Sequence, residues 1–217
     1  HLKKLEMLLK KHQPKLLIIG SNQPLFHVNL ECIYALTRQS NTKILYDISQ
    51  VAGLIAGGQF QQDLYQYADY VVSSTSKSFH APNHGILMSK EAFEQKDIIH
   101  RVTANTHPQE LAALGIVLTE WIAFGKQYAS DLIDFNQAFI LNLEKAGFKL
   151  AYDHLGTSES HLVIVQVSNP EHILSLLNKA GIYATLAILP QDQDKEHVSG
   201  ICFATHTLLR RGFTKES

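Results

Sequence analysis

The chain is 217 residues long, carries a formal charge of −1 and is 45% hydrophobic. That length holds one large domain or two small ones, and the near-neutral charge argues against nucleic acid or an anionic membrane as an obligatory partner. No apolar run approaches the ~20 residues of a membrane span, and the two cysteines, Cys32 and Cys202, are too few for a disulfide framework, so a reducing cytoplasm is the expected compartment.

The first residues, His1 to Met7, are charged and amphipathic, unlike a secretory signal; they begin without methionine, and the chain reads as an excerpt of a longer one. Apolar residues at 2, 5, 8 and 9 predict a helix over Leu2–Lys11 that Pro14 stops. Leu16–Ile19, ending in Gly20-Ser21-Asn22, predicts a buried strand of a parallel sheet. A helix over Asn29–Gln39, capped by Asn29, leads to a second buried strand at Lys43–Tyr46 with Asp47 at its carboxyl end. Residues 49–57 form a helical or irregular turn broken by Gly53, Gly57 and Gly58, and Asp63–Tyr67 is a polar connection with one helical turn. Tyr70–Ser74 is a third strand, followed at once by Lys77, and Gly85–Met88 is a fourth. The connection between those two is too short for a helical crossover, so they pair antiparallel. Pro108 opens a long helical stretch to about Glu144, broken near Gly125. Strands at Lys149–Tyr152, His161–Val167, Tyr183–Ile188 and Gly200–Ala204, with a helix over Pro170–Ala180, complete the chain.

The fold class is therefore α/β: a mostly parallel sheet flanked by helices, followed by a small C-terminal α/β domain. The boundary falls within residues 125–135, which divides the chain into residues 1–128 and 129–217. The twelve histidines are scattered. None stands in a His-Glu-x-x-His arrangement, and Pro82 breaks any helix between His80 and His84, so no metal site is expected.

Two residues carry chemistry. Ligands of open α/β sheets bind outside the carboxyl ends of the strands, where this reading sets both Asp47 and Lys77. A lysine amine that forms a Schiff base and a carboxylate that keeps a pyridine nitrogen protonated are the pair a pyridoxal phosphate (PLP) enzyme needs. The bland alternatives are a helix N-cap for Asp47 and a solvated surface lysine for Lys77.

Three motifs in order resemble the serine hydroxymethyltransferases. They are Asp47-Ile-Ser-Gln-Val-Ala-Gly-Leu-Ile-Ala-Gly-Gly58, Ser73-Ser-Thr-Ser-Lys77-Ser and Ser199-Gly-Ile-Cys-Phe-Ala-Thr-His-Thr-Leu-Leu-Arg-Arg-Gly-Phe213. The resemblance implies a fold-type I PLP enzyme of the aspartate aminotransferase superfamily, of which this chain holds the second half of the large domain and the C-terminal domain. It implies Lys77 as the Schiff-base lysine, Asp47 as the pyridinium partner and Ser74 as a hydroxyl contacting the cofactor region. Gln50 stands where the family has a histidine near the phenolic oxygen; an amide can still donate there. Thr106 would reach a neighbouring subunit's phosphate, its alternative being an N-cap for the helix that Pro108 opens. A homodimer, an amino-acid substrate and tetrahydrofolate as co-substrate follow from the same resemblance.

The chain also departs from the pattern. Ser76 replaces the histidine before the lysine, Thr103-Ala-Asn-Thr106 stands where a phosphate-binding Gln-Gly-Gly is expected, and Cys202 occupies the position of an arginine that grips the substrate carboxylate. A cysteine cannot supply that bidentate grip. The expectation is weakened glycine and serine binding, improved by Cys202→Arg unless Arg210 or Arg211 substitutes. The alternatives are a different fold-type I reaction (aminotransferase, desulfurase or aldolase type) or a non-catalytic homologue.

Overall fold

The computed structural model describes residues 1–92, 107–192 and 198–216. They form two compact units, one of residues 1–22 and 27–127 and one of residues 23–26 and 128–217.

In the first unit the elements run α1 (Leu2–His12), β1 (Leu16–Ile19), α2 (Leu30–Gln39), β2 (Lys43–Asp47), α3 (Ala52–Ala56), α4 (Leu64–Tyr67), β3 (Tyr70–Ser74) and β4 (Gly85–Ser89). Each boundary has a local cause. Gln13 takes a left-handed conformation after α1, next to Pro14. The Asn29 side chain accepts the Cys32 N–H at 2.9 Å and so caps α2. Strand order is β1-β2-β3-β4; the first three strands are parallel and β4 runs antiparallel to β3. The parallel strands therefore deliver Ile19, Asp47 and Ser74 to one edge of the sheet. Along β2 the burial alternates, with Ile44 and Tyr46 inside, as a period of two requires.

Two readings need correction here. Leu16–Ile19 is not wholly buried: Leu16 is 39% and Ile18 67% exposed, because β1 is an edge strand. The long helix, α5 (Pro108–Lys145), passes through Gly125 without a break. A Cβ at Gly125 would lie 2.4 Å from the ring of Trp121, one turn earlier. The glycine makes room for an indole rather than ending a helix.

The second unit holds the rest: β5 (Lys149–Leu150), a 3-10 turn (Asp153–Leu155), β6 (Leu162–Gln166), α6 (Pro170–Lys179), β7 (Thr185–Ala187), β8 (Gly200–Ala204) and α7 (His206–Arg210). Its sheet has the order β5-β6-β8-β7, and each neighbouring pair is antiparallel. β6 and β7 are thus parallel to each other across α6, with β8 inserted between them. β5 is shorter than the sequence suggests because Tyr152 adopts φ 64°. Both faces of β6 are buried: Val163 and Val165 pack with Ile140, Leu150 and Ile201, and Leu162 and Ile164 pack with Leu25, Ala187 and Cys202. Asn136, fully buried on α5, donates to the Ser160 carbonyl at 2.9 Å and accepts the Thr205 hydroxyl at 3.0 Å, so its polar group is satisfied inside the core. Among the described residues no helix is long and apolar enough to cross a membrane.

Candidate active site

Asp47 closes β2, opposite Val72 of β3, and its side chain is exposed at the carboxyl edge of the sheet. One carboxylate oxygen, Oδ1, accepts the Ser49 N–H at 2.9 Å, an Asx-type bond that holds the carboxylate against its own turn. Beside it β1 has given way to Gly20, where a Cβ would come within 3.1 Å of the Asp47 Cβ. A glycine there keeps the approach to the carboxylate open.

Lys77 lies on the loop that turns β3 into β4. The loop is anchored from below by Thr75, which is fully buried. The Thr75 hydroxyl donates to the Pro82 carbonyl and accepts the His84 N–H at 2.8 Å, and the Thr75 N–H donates to the His84 carbonyl at 3.0 Å. A tight turn follows, in which the His80 N–H donates to the Lys77 carbonyl at 2.9 Å and His80 takes φ 56°. The Lys77 backbone is thereby fixed. Its side chain is half-buried, and among the described residues its amine enters no hydrogen bond or ion pair.

The Asp47 turn and the lysine loop are laced together. The Ile48 N–H donates to the Val72 carbonyl at 2.9 Å, the Ser74 N–H to the Ser49 hydroxyl at 2.8 Å and the Gly53 N–H to the Ser78 hydroxyl at 3.2 Å. Gly53 is required at that junction: a Cβ would sit 2.3 Å from the Ser78 carbonyl oxygen and 2.9 Å from the Trp121 ring. Trp121 completes the lacing, its indole N–H donating to the Phe79 carbonyl at 2.9 Å and its ring stacked on Phe79 with centroids 5.0 Å apart.

Four of the residues singled out in the sequence, Asp47, Gln50, Ser74 and Lys77, therefore lie on two hydrogen-bonded segments. Gln50 is half-buried in the turn after Asp47, and among the described residues its amide has no partner. The Ser74 hydroxyl lies 3.1 Å from that of Ser76, which in turn donates to Asn83 Oδ1 at 3.2 Å. Ser76 is thus part of a small hydroxyl chain at the loop. Thr106 lies outside the described residues. Sequence reasoning did not pick out Ser49, Ser78, Gly20 or the role of Trp121; the only signal was the spacing of Trp121 and Gly125, one helical turn apart.

Cys202 belongs to the second unit. It is 5% exposed on β8 among Leu162, Ile164, Ala187 and Leu189, and burial pushes its thiol up to about 12, a hydrogen bond with Thr185 working in the opposite direction. An inert, protonated packing group is what those surroundings make of a cysteine. Arg210 and Arg211 are exposed at the end of α7.

The donor set fits a PLP site on the features seen here: an uncommitted lysine amine, a carboxylate on the neighbouring strand, and a glycine gap where a side chain would close over that carboxylate. Among the described residues no three His, Cys, Asp or Glu side chains converge.

A family model described as serine hydroxymethyltransferase matches residues 1–217. The chain is similar to the serine hydroxymethyltransferase of Thermoplasma volcanium, 33% identical over 96% of this chain and 51% of the relative. It resembles that of Methanobrevibacter smithii at 33% identity over 95% and 51%, and that of Thermoplasma acidophilum at 33% over 94% and 50%. The chain spans about half the length of the curated relatives it matches.

Proposed function

The chain belongs to the serine hydroxymethyltransferase family, and from that premise we propose that it carries the lysine and the aspartate of a PLP site in an enzyme that acts on an amino acid. The observation that carries the reading is the pairing of Asp47 and Lys77 on two hydrogen-bonded segments at one sheet edge, with the lysine amine uncommitted. PLP, when bound, supplies an electron-accepting ring that stabilises negative charge at the amino acid's Cα.

Each residue then has a task. Lys77 Nζ would hold the cofactor through its aldehyde, and its amine is a base able to move a proton at the substrate's Cα. Asp47 Oδ2 would hold a proton on the pyridine nitrogen, since an adjacent carboxylate favours the cationic form. Oδ1 is already turned back on Ser49 N, which leaves the charge oriented outward. Gln50 would donate its amide N–H to the phenolic oxygen, and Ser74 would present its hydroxyl to the cofactor region. Thr106 is assigned to a neighbouring subunit's phosphate, which makes the functional unit a homodimer. One-carbon transfer with tetrahydrofolate is the reaction we assign. The exposed free thiol of Cys32 supports a reducing cytoplasm as its compartment.

Borohydride reduction of the full-length protein with PLP, followed by peptide mass mapping, tests the assignment. The pyridoxyl mass is expected on Lys77 and is expected to vanish in Lys77→Ala. The same mass on another lysine in both proteins would refute it.

A second reading is favoured by one observation, the apolar seat of Cys202. With no arginine there, the substrate need not be an α-amino acid held by its carboxylate in the family's manner, and another PLP reaction is the alternative. Titrating the loaded protein with glycine separates the two. Saturable glycine binding supports one-carbon transfer; its absence supports the other reaction.

A further inference from the structure

We propose that Trp121 is a positioning residue for Lys77, acting by clamping the lysine loop from the helix side. The inference rests on the reading of Lys77 as the cofactor-binding residue. The loop between β3 and β4 is pinned below by Thr75, whose hydroxyl holds both the Pro82 carbonyl and, at the loop's far end, the His84 N–H. Between those anchors, the Lys77 carbonyl accepts the His80 N–H, and the two residues that follow Lys77 are tied to α3 and α5. The Ser78 hydroxyl accepts from Gly53, and the Phe79 carbonyl and ring both engage Trp121. The indole fits because two glycines yield to it: a Cβ at Gly53 would approach its ring to 2.9 Å and one at Gly125 to 2.4 Å. α5, α3 and the loop therefore meet on one side chain, which grips the loop at Phe79, two residues from the lysine. A ring with no N–H could still stack on Phe79, but would leave the Phe79 carbonyl free to rotate the Lys77–Phe79 turn.

Full-length Trp121→Phe removes the N–H and keeps an aromatic ring. A hydrogen bond of ordinary net strength corresponds to about a fivefold effect. In cofactor-free protein, amide hydrogen exchange over residues 75–81 is expected to quicken about fivefold while residues 162–166 stay unchanged. With PLP, the share of bound cofactor that borohydride fixes on Lys77 is expected to fall, while total binding changes little; a purely structural loss would lower both in proportion. If Trp121→Phe does not fold, Phe79→Leu, which removes the stack and keeps the carbonyl, is expected to give the same faster exchange and lower lysine-linked share. Unchanged exchange and an unchanged share in a folded variant would overturn the proposal while leaving Lys77 as the attachment site. Failure to trap cofactor on Lys77 in the unaltered protein would overturn the reading beneath it.

Discussion

Asp47 and Cys202 are acids set in opposite surroundings, and each surrounding makes a prediction. Asp47 is exposed, and its one described bond is accepted from Ser49 N by Oδ1, a bond that an asparagine oxygen reproduces. Asp47→Asn is therefore expected to leave thermal stability within about 0.5 kcal/mol of the parent while lowering turnover by orders of magnitude, because only the charge is lost. Circular dichroism melting and steady-state rates check both halves. Cys202 behaves in the reverse way. Arginine at this position would bury a guanidinium among Leu162, Ile164, Ala187 and Leu189, a cost of about 3 kcal/mol for a charge without a partner. Simple restoration of carboxylate binding by Cys202→Arg is thus not expected from this packing; a lowered denaturation midpoint is. The sign of the pH dependence follows from burial. Burial raises Cys202, Tyr46 and Tyr128 to about 12, so the folded state holds these protons where the unfolded chain releases them. Their contribution is complete below about pH 8, where the unfolded thiol and phenols are still protonated, and is lost progressively as pH rises from about 8 to 12. Urea midpoints measured across that range are expected to fall steadily.

Among the elements, α5 offers an internal control. Gly115 and Gly125 lie on the same helix, and helix propensity alone favours alanine over glycine by about 1 kcal/mol at either. A Cβ at Gly115 meets nothing within 4 Å, whereas one at Gly125 meets the Trp121 ring at 2.4 Å. Gly115→Ala is expected to stabilise by about 0.5–1 kcal/mol, and Gly125→Ala to destabilise by about 1–3 kcal/mol as the indole is forced to move. Equal shifts of the two melting temperatures would contradict the packing described. The same helix marks the limit of what sequence alone conveys. Strand and helix positions up to Ser89 are legible because hydrophobic period, Asn29 and Pro14 act locally. Asp47 and Lys77 are legible because a strand's end and a residue type suffice to single them out. The continuity of α5 is not, since Gly125 answers to a ring beside it rather than to the backbone. Nor is the insertion of β8 between β6 and β7, which depends on pairing between residues far apart in the chain. The lacing through Ser49, Ser78 and Trp121 is hidden for the same reason.

At the scale of the whole molecule, exposed apolar surface stands out. Ile18 on edge strand β1 is 67% exposed, and Ile116, Ile122 and Phe124 on α5 are 65%, 87% and 70% exposed. An uncovered strand edge and an uncovered apolar helix face both invite association. The 217-residue chain expressed by itself is expected to self-associate in a concentration-dependent way, and Ile18→Lys with Ile122→Lys to reduce it. Light scattering over a dilution series measures this, and a parent chain that stays monomeric throughout would refute it. Trp121 has one more consequence. It is the chain's only tryptophan, and its ring lies against the loop that carries Lys77. Within these 217 residues, indole emission, excited at wavelengths that the eight tyrosines do not absorb, therefore originates at a single known place. A chromophore covalently held on the neighbouring lysine would drain that emission by energy transfer, so the dimming of this one indole can count filled sites on the 217-residue chain.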